Sequence, residues 1–402
     1  MPAKIVPPRS TATLGVVEGD LEVRSHAVVK GEGSPPRVVA SGRVLVEDDV
    51  IFDCSLSADS LDGEGEVSVK GDLEVKRRIE LDDGRLDVLG NVKAESVDVG
   101  RSLRVGKNLE ADDVDVGGSL EVGGSTIAAV IDVGGRFEAD GDVKAKTIDV
   151  GGSVKVKGEV DVEDTIDVGG LVMVDGGKVN SVDVGGTLVS RKPLKFVRID
   201  VGGSVKLAGG SSGGTIEVGG VCKVEGDLKF ETLDVGGIVE ISGSAEGDEI
   251  NVGGKVQVGG STKLSGTFEV GGRAEIAGAL KAQEIDVGGS LHAEKATAES
   301  KVSVGGHIET DEGVHASYVE IGRRGKVKGS IKADEVVVGR GAHVEDIDAK
   351  RIVLERDVKA GSLRGETIRL ESGCHISGEV QYTRELEAAR DVTFARAPKK
   401  VE

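Results

Sequence analysis

The sequence predicts an all-β protein that winds into a single-stranded parallel β-helix, or solenoid, of about 22 coils of ~17 residues each. Three observations predict this fold class. The chain of 402 residues contains 63 Gly but only 7 Pro and no Trp. A Val-Gly-Gly string returns at a constant short interval, and apolar and polar residues alternate between its copies. Because aromatic residues make up only 2% of the chain, small β-branched side chains must fill the interior.

The repeat can be followed along nearly the whole chain. The string [VIL]-[DE]-V-G-G, with some letters replaced, has spacings that stay within one residue of 17. Its first glycines are Gly100, Gly117, Gly134, Gly151, Gly169, Gly185, Gly202, Gly219, Gly236, Gly253, Gly271, Gly288, Gly305, Gly322 and Gly339. Weaker copies extend the frame upstream to Arg24 and downstream to Ala389. A period this short and constant indicates stacked coils.

One repeat, such as IDVGGSVKVKGEVDVED from Ile148 to Asp164, contains three short runs of alternating apolar and polar residues. Each run is predicted to be a strand with one buried face. Three strands in so short a repeat leave no room for hairpins, so the chain must coil and pair each strand with its equivalents one turn away. We expect the double glycines at tight corners, where they can adopt positive φ angles.

The repeat also divides the chain into three parts. Residues 1–20 are expected to form an irregular N-terminal segment, residues 21–394 the solenoid, and residues 395–402 a polar C-terminal tail. One step of the repeat is longer than the others, and the excess coincides with GEGSPP at Gly31 to Pro36. The Gly and Pro content of this stretch predicts a surface loop.

The charge balance excludes some classes of partner. Lys+Arg 51 against Asp+Glu 71 gives a net charge of -20, which repels nucleic acid and anionic lipid. The N-terminal residues lack the apolar run of a signal peptide, and no stretch approaches the ~20 apolar residues that span a bilayer. We therefore expect a cytoplasmic protein that does not bind nucleic acid. Membrane association stays open, without support from the sequence.

No motif in the sequence indicates catalysis. Cys54, Cys222 and Cys374 are far apart and lack CxxC spacing, so they are interpreted as small apolar fillers rather than disulfides or zinc ligands. The six histidines form no H-E-x-x-H pair and are interpreted as lying at unrelated positions of the repeat. No Walker-type phosphate loop occurs. We expect no catalytic residue, no metal site, no cofactor and no small-molecule substrate.

The most regular polar feature is the residue before each Val-Gly-Gly, which is predicted to face outward. It is acidic in eleven repeats and Asn251 in one. The acidic members are Asp98, Asp115, Asp132, Asp149, Asp167, Asp183, Asp200, Glu217, Asp234, Glu269 and Asp286. One hypothesis is a cation-binding or docking stripe. The alternative is a solvated strand face that prevents sideways β-aggregation, and the absence of the calcium-binding repeat G-G-x-G-x-D favours it.

The stretch from Val319 to Val380 resembles the core of the bactofilins, a family of polymer-forming cytoskeletal proteins. The similarity lies in G-K-V-K-G-S-I-K-A-D-E-V from Gly325 to Val336, the following V-V-V-G-R-G-A-H-V, and G-C-H-I-S-G-E-V from Gly373 to Val380. The resemblance implies a right-handed β-helix of triangular section. It also implies end-to-end assembly into non-polar filaments without a nucleotide, usually near a membrane. This chain would be a long variant of the family.

We therefore expect a structural, non-enzymatic protein whose partner is a further copy of itself. No capping helix is evident at either end, and the last coil carries Leu386, Val392 and Phe394, which we predict form the polymer interface. The alternative function is a solitary β-solenoid rod that acts as an adhesin or envelope scaffold. A third hypothesis is a carbohydrate-active solenoid enzyme, which the lack of Trp and of long loops disfavours.

Overall fold

The computed structural model describes residues 3–402 and contains, within them, strands and turns but no helix. The chain divides into two compact units, Met1–Gly202 and Gly203–Glu402. Each unit is a parallel β-solenoid in which strands pair with their equivalents in adjacent turns, in most turns about 17 residues away. The two units together contain about 23 turns. The predicted fold class is confirmed.

The strands of unit 1 are β1 (Lys4–Val6), β2 (Thr11–Leu14), β3 (Val16–Val17), β4 (Leu21–Val23), β5 (Val28–Gly31), β6 (Arg37–Ala40), β7 (Arg43–Val46), β8 (Val50–Asp53), β9 (Ser55–Ala58), β10 (Ser60–Val69), β11 (Leu73–Val75), β12 (Arg78–Val88), β13 (Val92–Lys93), β14 (Ser96–Val99), β15 (Ser102–Val105), β16 (Leu109–Glu110), β17 (Asp113–Val116), β18 (Ser119–Val122), β19 (Thr126–Ile127), β20 (Val130–Val133), β21 (Arg136–Ala139), β22 (Val143–Val150), β23 (Ser153–Val156), β24 (Val160–Val168), β25 (Leu171–Val174), β26 (Gly177–Val184), β27 (Thr187–Ser190) and β28 (Leu194–Val201).

The strands of unit 2 are β29 (Ser204–Ala208), β30 (Ser211–Val218), β31 (Val221–Glu225), β32 (Leu228–Lys229), β33 (Thr232–Val235), β34 (Ile238–Ile241), β35 (Ala245–Gly247), β36 (Glu249–Val252), β37 (Lys255–Val258), β38 (Thr262–Leu264), β39 (Thr267–Val270), β40 (Arg273–Val287), β41 (Ser290–Val304), β42 (His307–Thr310), β43 (Val314–Ile321), β44 (Lys326–Lys328), β45 (Ile331–Val338), β46 (His343–Val344), β47 (Ile347–Leu354), β48 (Lys359–Ala360), β49 (Leu363–Leu370), β50 (His375–Ile376), β51 (Val380–Ala388), β52 (Thr393–Phe394) and β53 (Lys399–Lys400).

Three strand positions per turn give each coil three faces, as β14, β15 and β16 show. Each pairs in parallel with its equivalent in the next coil, β17, β18 and β19. Side chains alternate strictly, so that Val97 and Val99 of β14 are buried and Asp98 between them is exposed. Stacking these positions produces inward and outward columns that run from coil to coil.

The core of each unit is a set of aliphatic columns. In unit 1, Val116, Val133 and Val150 lie in one column and are fully buried. The columns also accommodate single phenylalanines between aliphatic residues. Phe137 stacks between Leu120 and Val154 and is fully buried. Small and medium side chains therefore fill nearly the whole interior, which explains the scarcity of aromatic residues.

The corner glycines are needed for a different reason from the one the sequence suggested. None of the Val-Gly-Gly corner glycines has a positive φ. Instead, the corners of successive coils approach so closely that a Cβ on Gly135 would lie 2.5 Å from the carbonyl oxygen of Gly118. A Cβ on Gly236 would lie 2.7 Å from the carbonyl oxygen of Gly219. Close backbone stacking, rather than left-handed conformation, therefore requires glycine here.

The N-terminal segment differs from the expected irregular structure. Within residues 1–20, Lys4–Val6, Thr11–Leu14 and Val16–Val17 form strands β1, β2 and β3, which pair with β4, β5 and β6 of the next coil. These strands are short, and Pro7 and Pro8 separate β1 from β2, so the repeat is hidden in the sequence. Backbone pairing with the following coil nevertheless holds them in register.

The predicted loop and tail have simple structures. Residues 33–36 form turns between β5 and β6, closed by a hydrogen bond from the Arg37 N–H to the Glu32 carbonyl at 2.9 Å. In the polar tail, Lys399 and Lys400 pair with Gln381 and Tyr382. The loop extends one corner without disturbing the columns on either side.

Candidate functional site

The acidic residues before the glycine corners form one outward column in each unit. In unit 1, Asp98 is in register with Asp115, and the pairing continues turn by turn to Asp200. In unit 2, the column runs from Glu217 to Asp286. Adjacent strands lie ~4.8 Å apart, so neighbouring carboxylates repeat at that spacing. We call these two columns the acidic ladder.

The surroundings of the ladder provide no positive charge over most of unit 1. From Asp98 to Asp183 the described residues contain no ion pair to a ladder carboxylate, and Arg198 is 3.0 Å from Asp200 only at the last turn. In the neighbouring outward column, Val130, Thr147 and Thr165 are short and uncharged, and Asp113 adds a further carboxylate. On the other side, the corner carries Arg101 in the coil of Asp98 and only glycines from Gly117 to Gly186. The carboxylates are therefore accessible and electrostatically uncompensated.

The ladder environment perturbs its own ionisation. Desolvation, followed by the charges of neighbouring carboxylates, raises the pKa of Asp115 and of Asp132 above their ordinary value. The same two causes, in the same order, raise the pKa of Asp98 and of Asp167. The structure therefore disfavours full ionisation of the column.

An outward column on a second face is compensated within the chain. In unit 1, Arg104 and Glu121 are one coil apart and 2.7 Å from each other. In unit 2, Lys223 and Glu240 are 2.9 Å apart across the same interval. Opposite charges thus form ion pairs between coils on this face, whereas like charges stack on the ladder face.

The ladder column continues toward the N-terminus, where Asp62 is in register with Glu80 and differs sharply from the exposed members. Its side chain is only 4% exposed and lies between arginines from the coils on both sides. Arg43 Nε donates to Asp62 Oδ2 at 2.7 Å, and Arg78 Nη2 lies 2.9 Å from Oδ1. Ser60 Oγ also donates to Oδ2 at 2.9 Å. The repeat pattern gave no indication of this three-coil ion-pair network.

A second cationic feature was also missed in the sequence. His307, Lys326, His343, Lys359 and His375 lie in one outward column on consecutive turns of unit 2. All five are exposed, and within residues 3–402 none forms an ion pair. Three of the six histidines therefore share one register, contrary to the expected scatter. We call this set the basic column.

Polar corner side chains stabilise the stack in a way that the sequence analysis did not identify. Asp227 Oδ1 accepts a hydrogen bond from the Ser244 N–H at 2.7 Å, and Ser244 Oγ accepts one from the Ser261 N–H at 3.3 Å. Asn108 Oδ1 accepts from the Ser125 N–H at 2.9 Å in unit 1. The recurring signal in the sequence is Asp, Asn or Ser directly before a core residue, usually after a Gly.

The predicted interface residues lie where the core columns of unit 2 end. Leu386 is in register with Ile368, and Phe394 with Ile376. Ile368 and Ile376 are fully buried, whereas Leu386, Val392 and Phe394 are partly exposed. The last turn is well anchored, because Asp391 Oδ2 accepts hydrogen bonds from Ser372 Oγ at 2.6 Å and from the Gly373 N–H at 3.1 Å. An ordered apolar surface is therefore exposed at this end.

The three cysteines lie in the core, as their interpretation as apolar fillers requires. Cys54, Cys222 and Cys374 are free and buried. Burial raises the pKa of the Cys222 thiol to about 12 and that of Cys54 to about 11. Among residues 3–402, no group of three or more His, Cys, Asp or Glu side chains has a geometry that could hold a metal ion.

In the part of the chain that the structure describes, no helix is long and apolar enough to cross a bilayer. No protein-family model matches the chain, and no curated protein or solved structure matches it significantly.

Proposed function

We propose that the protein is a structural, non-enzymatic solenoid that assembles end to end into filaments without a nucleotide or other cofactor. The observation that carries the proposal is the open last turn of unit 2, with partly exposed Leu386, Val392 and Phe394. Each continues a column that is buried in the preceding turns. Each would be buried if a further coil were stacked upon it.

The backbone of the last turn supports the same proposal. Strand β51 pairs with β49 along its length, but β53 pairs only with its residues Gln381 and Tyr382. Within the described residues, the segment from Glu385 to Ala388 therefore has no strand beyond it. Exposed strand edges favour pairing with another chain, and here the edge borders an apolar surface. A further copy of the same solenoid has the matching strand spacing and core width.

The resemblance of Val319–Val380 to the bactofilins supports filament assembly, because that family assembles without nucleotide hydrolysis. The ladder carboxylates from Asp98 to Asp183, which have no ion-pair partner among the described residues, support a filament that excludes nucleic acid. A cytoplasmic location is part of the proposal. Subcellular fractionation would test it, and recovery of the protein outside the cell would contradict the cytoskeletal role.

Negative-stain microscopy of the purified protein without nucleotide tests the assembly directly. We expect filaments from the unmodified chain and none from the Val392→Arg, Phe394→Arg double variant. Two charges at an apolar junction should weaken it by several kcal/mol, on the order of a buried unpaired charge. Circular dichroism should show that the variant remains folded. Filaments of unchanged length from the variant would refute end-to-end assembly through this turn.

The solitary rod remains the second candidate, and one observation at the N-terminal end favours it. Lys4 occupies the core column of Leu21, yet it is exposed. A lysine at the end of an apolar column disfavours the stacking of another apolar turn on that side. A monodisperse, unpolymerised protein at high concentration would favour this candidate, an adhesin-like or scaffold rod.

A further inference from the structure

We infer that the acidic ladder and the basic column are the two halves of a side-by-side contact between copies of this chain. The inference goes beyond end-to-end assembly. It concerns the sides of the solenoid, and it assigns one partner, a second copy, to both surfaces. The ladder stretch from Asp98 to Asp183 provides carboxylates on consecutive turns. The basic column provides cationic or N–H donor groups on five consecutive turns.

Both surfaces are available for such a contact. No ladder member from Asp98 to Asp183 has an ion-pair partner in the described part of the chain, and neither Lys326 nor Lys359 has one. By contrast, the adjacent Lys328 is already 2.5 Å from Glu309. The histidines of the column present a ring N–H donor in either protonation state. Both surfaces therefore retain charges or donors that the rest of the molecule leaves unpaired.

The spacing of the two surfaces selects a second copy over other cationic partners. Both columns are built from successive coils, so both repeat at ~4.8 Å along the stack. Alternate residues of an extended peptide repeat at about 6.6 Å, and an α-helix has a pitch of about 5.4 Å. A second solenoid, unlike an extended peptide or an α-helix, places its charges opposite the ladder turn after turn. Short side chains and glycines beside the ladder also let a second copy approach.

The ladder at the same time disfavours contacts between two ladder faces, because like charges would be opposed at every turn. The ladder can thus disfavour contact with a second ladder and favour contact with a basic column. Each exposed ion pair contributes little, so a few pairs amount to about tenfold in the association constant, equivalent to ~1.4 kcal/mol. We therefore expect side-by-side association to be weak between single molecules, stronger between filaments, and sensitive to salt.

Carbodiimide cross-linking of the native protein tests the contact, because the reagent joins carboxylates to amines that touch. A mixture of isotopically labelled and unlabelled chains distinguishes links between molecules from links within one. We expect intermolecular links from Lys326 and Lys359 to the ladder aspartates. The matched controls are Lys76 and Lys107, which are also exposed and unpaired among the described residues. Equal linking from the controls would overturn the inference.

A charge-reversal pair provides the second test. Lys326→Glu with Lys359→Glu should reduce side-by-side association about tenfold, as measured by sedimentation and by the width of bundles in negative stain. Lys76→Glu with Lys107→Glu changes the net charge equally and should have little effect. If both variants associate equally weakly, the change in net charge alone explains the loss, and the proposed contact is refuted.

The two proposals can fail separately. Cross-linking is repeated on the Val392→Arg, Phe394→Arg chain, whose last turn cannot support a junction. Links between the basic column and the ladder in this chain would support the lateral contact even without filaments. Filaments that form normally but give no such links would refute the lateral contact and leave end-to-end assembly intact.

Discussion

Asp115 and Asp132 lie directly beside each other in the register of β17 and β20, and no cation among the described residues lies between them. Asp115 raises the pKa of Asp132, after the larger effect of desolvation, and Asp98 raises that of Asp115 in the same way. The same repulsion between neighbouring carboxylates recurs on successive turns. Neutralising a ladder carboxylate should therefore increase the stability of the fold, whereas neutralising a buried or ion-paired carboxylate usually decreases it.

Neutralising alternate ladder positions should stabilise the protein. Asp115→Asn with Asp149→Asn removes repulsion with both neighbours at each site, where each pair at ~4.8 Å costs under ~1 kcal/mol in a water-like dielectric. Allowing for screening of exposed charges, we expect a gain of about 1 kcal/mol at pH 7. Chemical denaturation measures it. A stability loss on adding a chelator to the unmodified protein would instead indicate a bound-cation ladder.

The pH dependence follows from the direction of the pKa shifts. The pKa values of Asp98, Asp115, Asp132 and Asp167 are raised above 3.8 in the folded state. The unfolded chain therefore loses these protons first, and stability falls as pH rises from about 4 through the raised values. The advantage of the Asn variant should accordingly vanish at pH 3. An advantage unchanged at pH 3 would show that charge repulsion is not its cause.

Asp62 should behave in the opposite way although it lies in the same column. Asp62→Ala leaves Arg43 and Arg78 without their shared carboxylate and removes the acceptor of Ser60. We expect a loss of about 1–3 kcal/mol, at the lower end if the partly exposed arginines turn to solvent. Asp115→Ala is the matched control and should not destabilise. Equal effects at both positions would contradict the assigned network.

A corner glycine should not tolerate even one extra carbon. In Gly135→Ala the new Cβ would approach the carbonyl oxygen of Gly118, so neighbouring coils must shift apart. We expect a loss of about 1–3 kcal/mol, as for other overpacked sites. Arg101 already occupies the equivalent corner position one coil before Gly118, so Arg101→Ala is the control. A neutral Gly135→Ala would mean that the stack is looser than the structure indicates.

Two buried hydroxyl groups reduce the stability of the core columns. Thr126 Oγ1 and Thr262 Oγ1 are buried and have no hydrogen-bond partner. Thr126→Val replaces the hydroxyl with a methyl group of similar size and should stabilise the protein by about 1 kcal/mol. Thermal unfolding measures the change. Thr147→Val, at an outward position, is the control and should be nearly neutral.

The regular part of the molecule could be predicted because local pattern and tertiary pairing agree there. From Asp98 to Asp286, coils of nearly constant length place identical positions above one another. The alternation of one repeat therefore predicts which side chains are buried in all of them. The acidic ladder was visible for the same reason. The lack of ion-pair partners from Asp98 to Asp183 was not visible, because that depends on the side chains of the neighbouring columns.

The sequence by itself determined the fold class, the period and the apolar columns, since each follows from alternation within a single coil. The tertiary structure alone decided the strands before Leu21, the burial of Asp62 and the basic column from His307 to His375. In these coils the corners differ in length, and β-bulges restore the pairing register between strands. Which residues then stack depends on backbone hydrogen bonding between coils, a non-local interaction that spacing along the chain does not report.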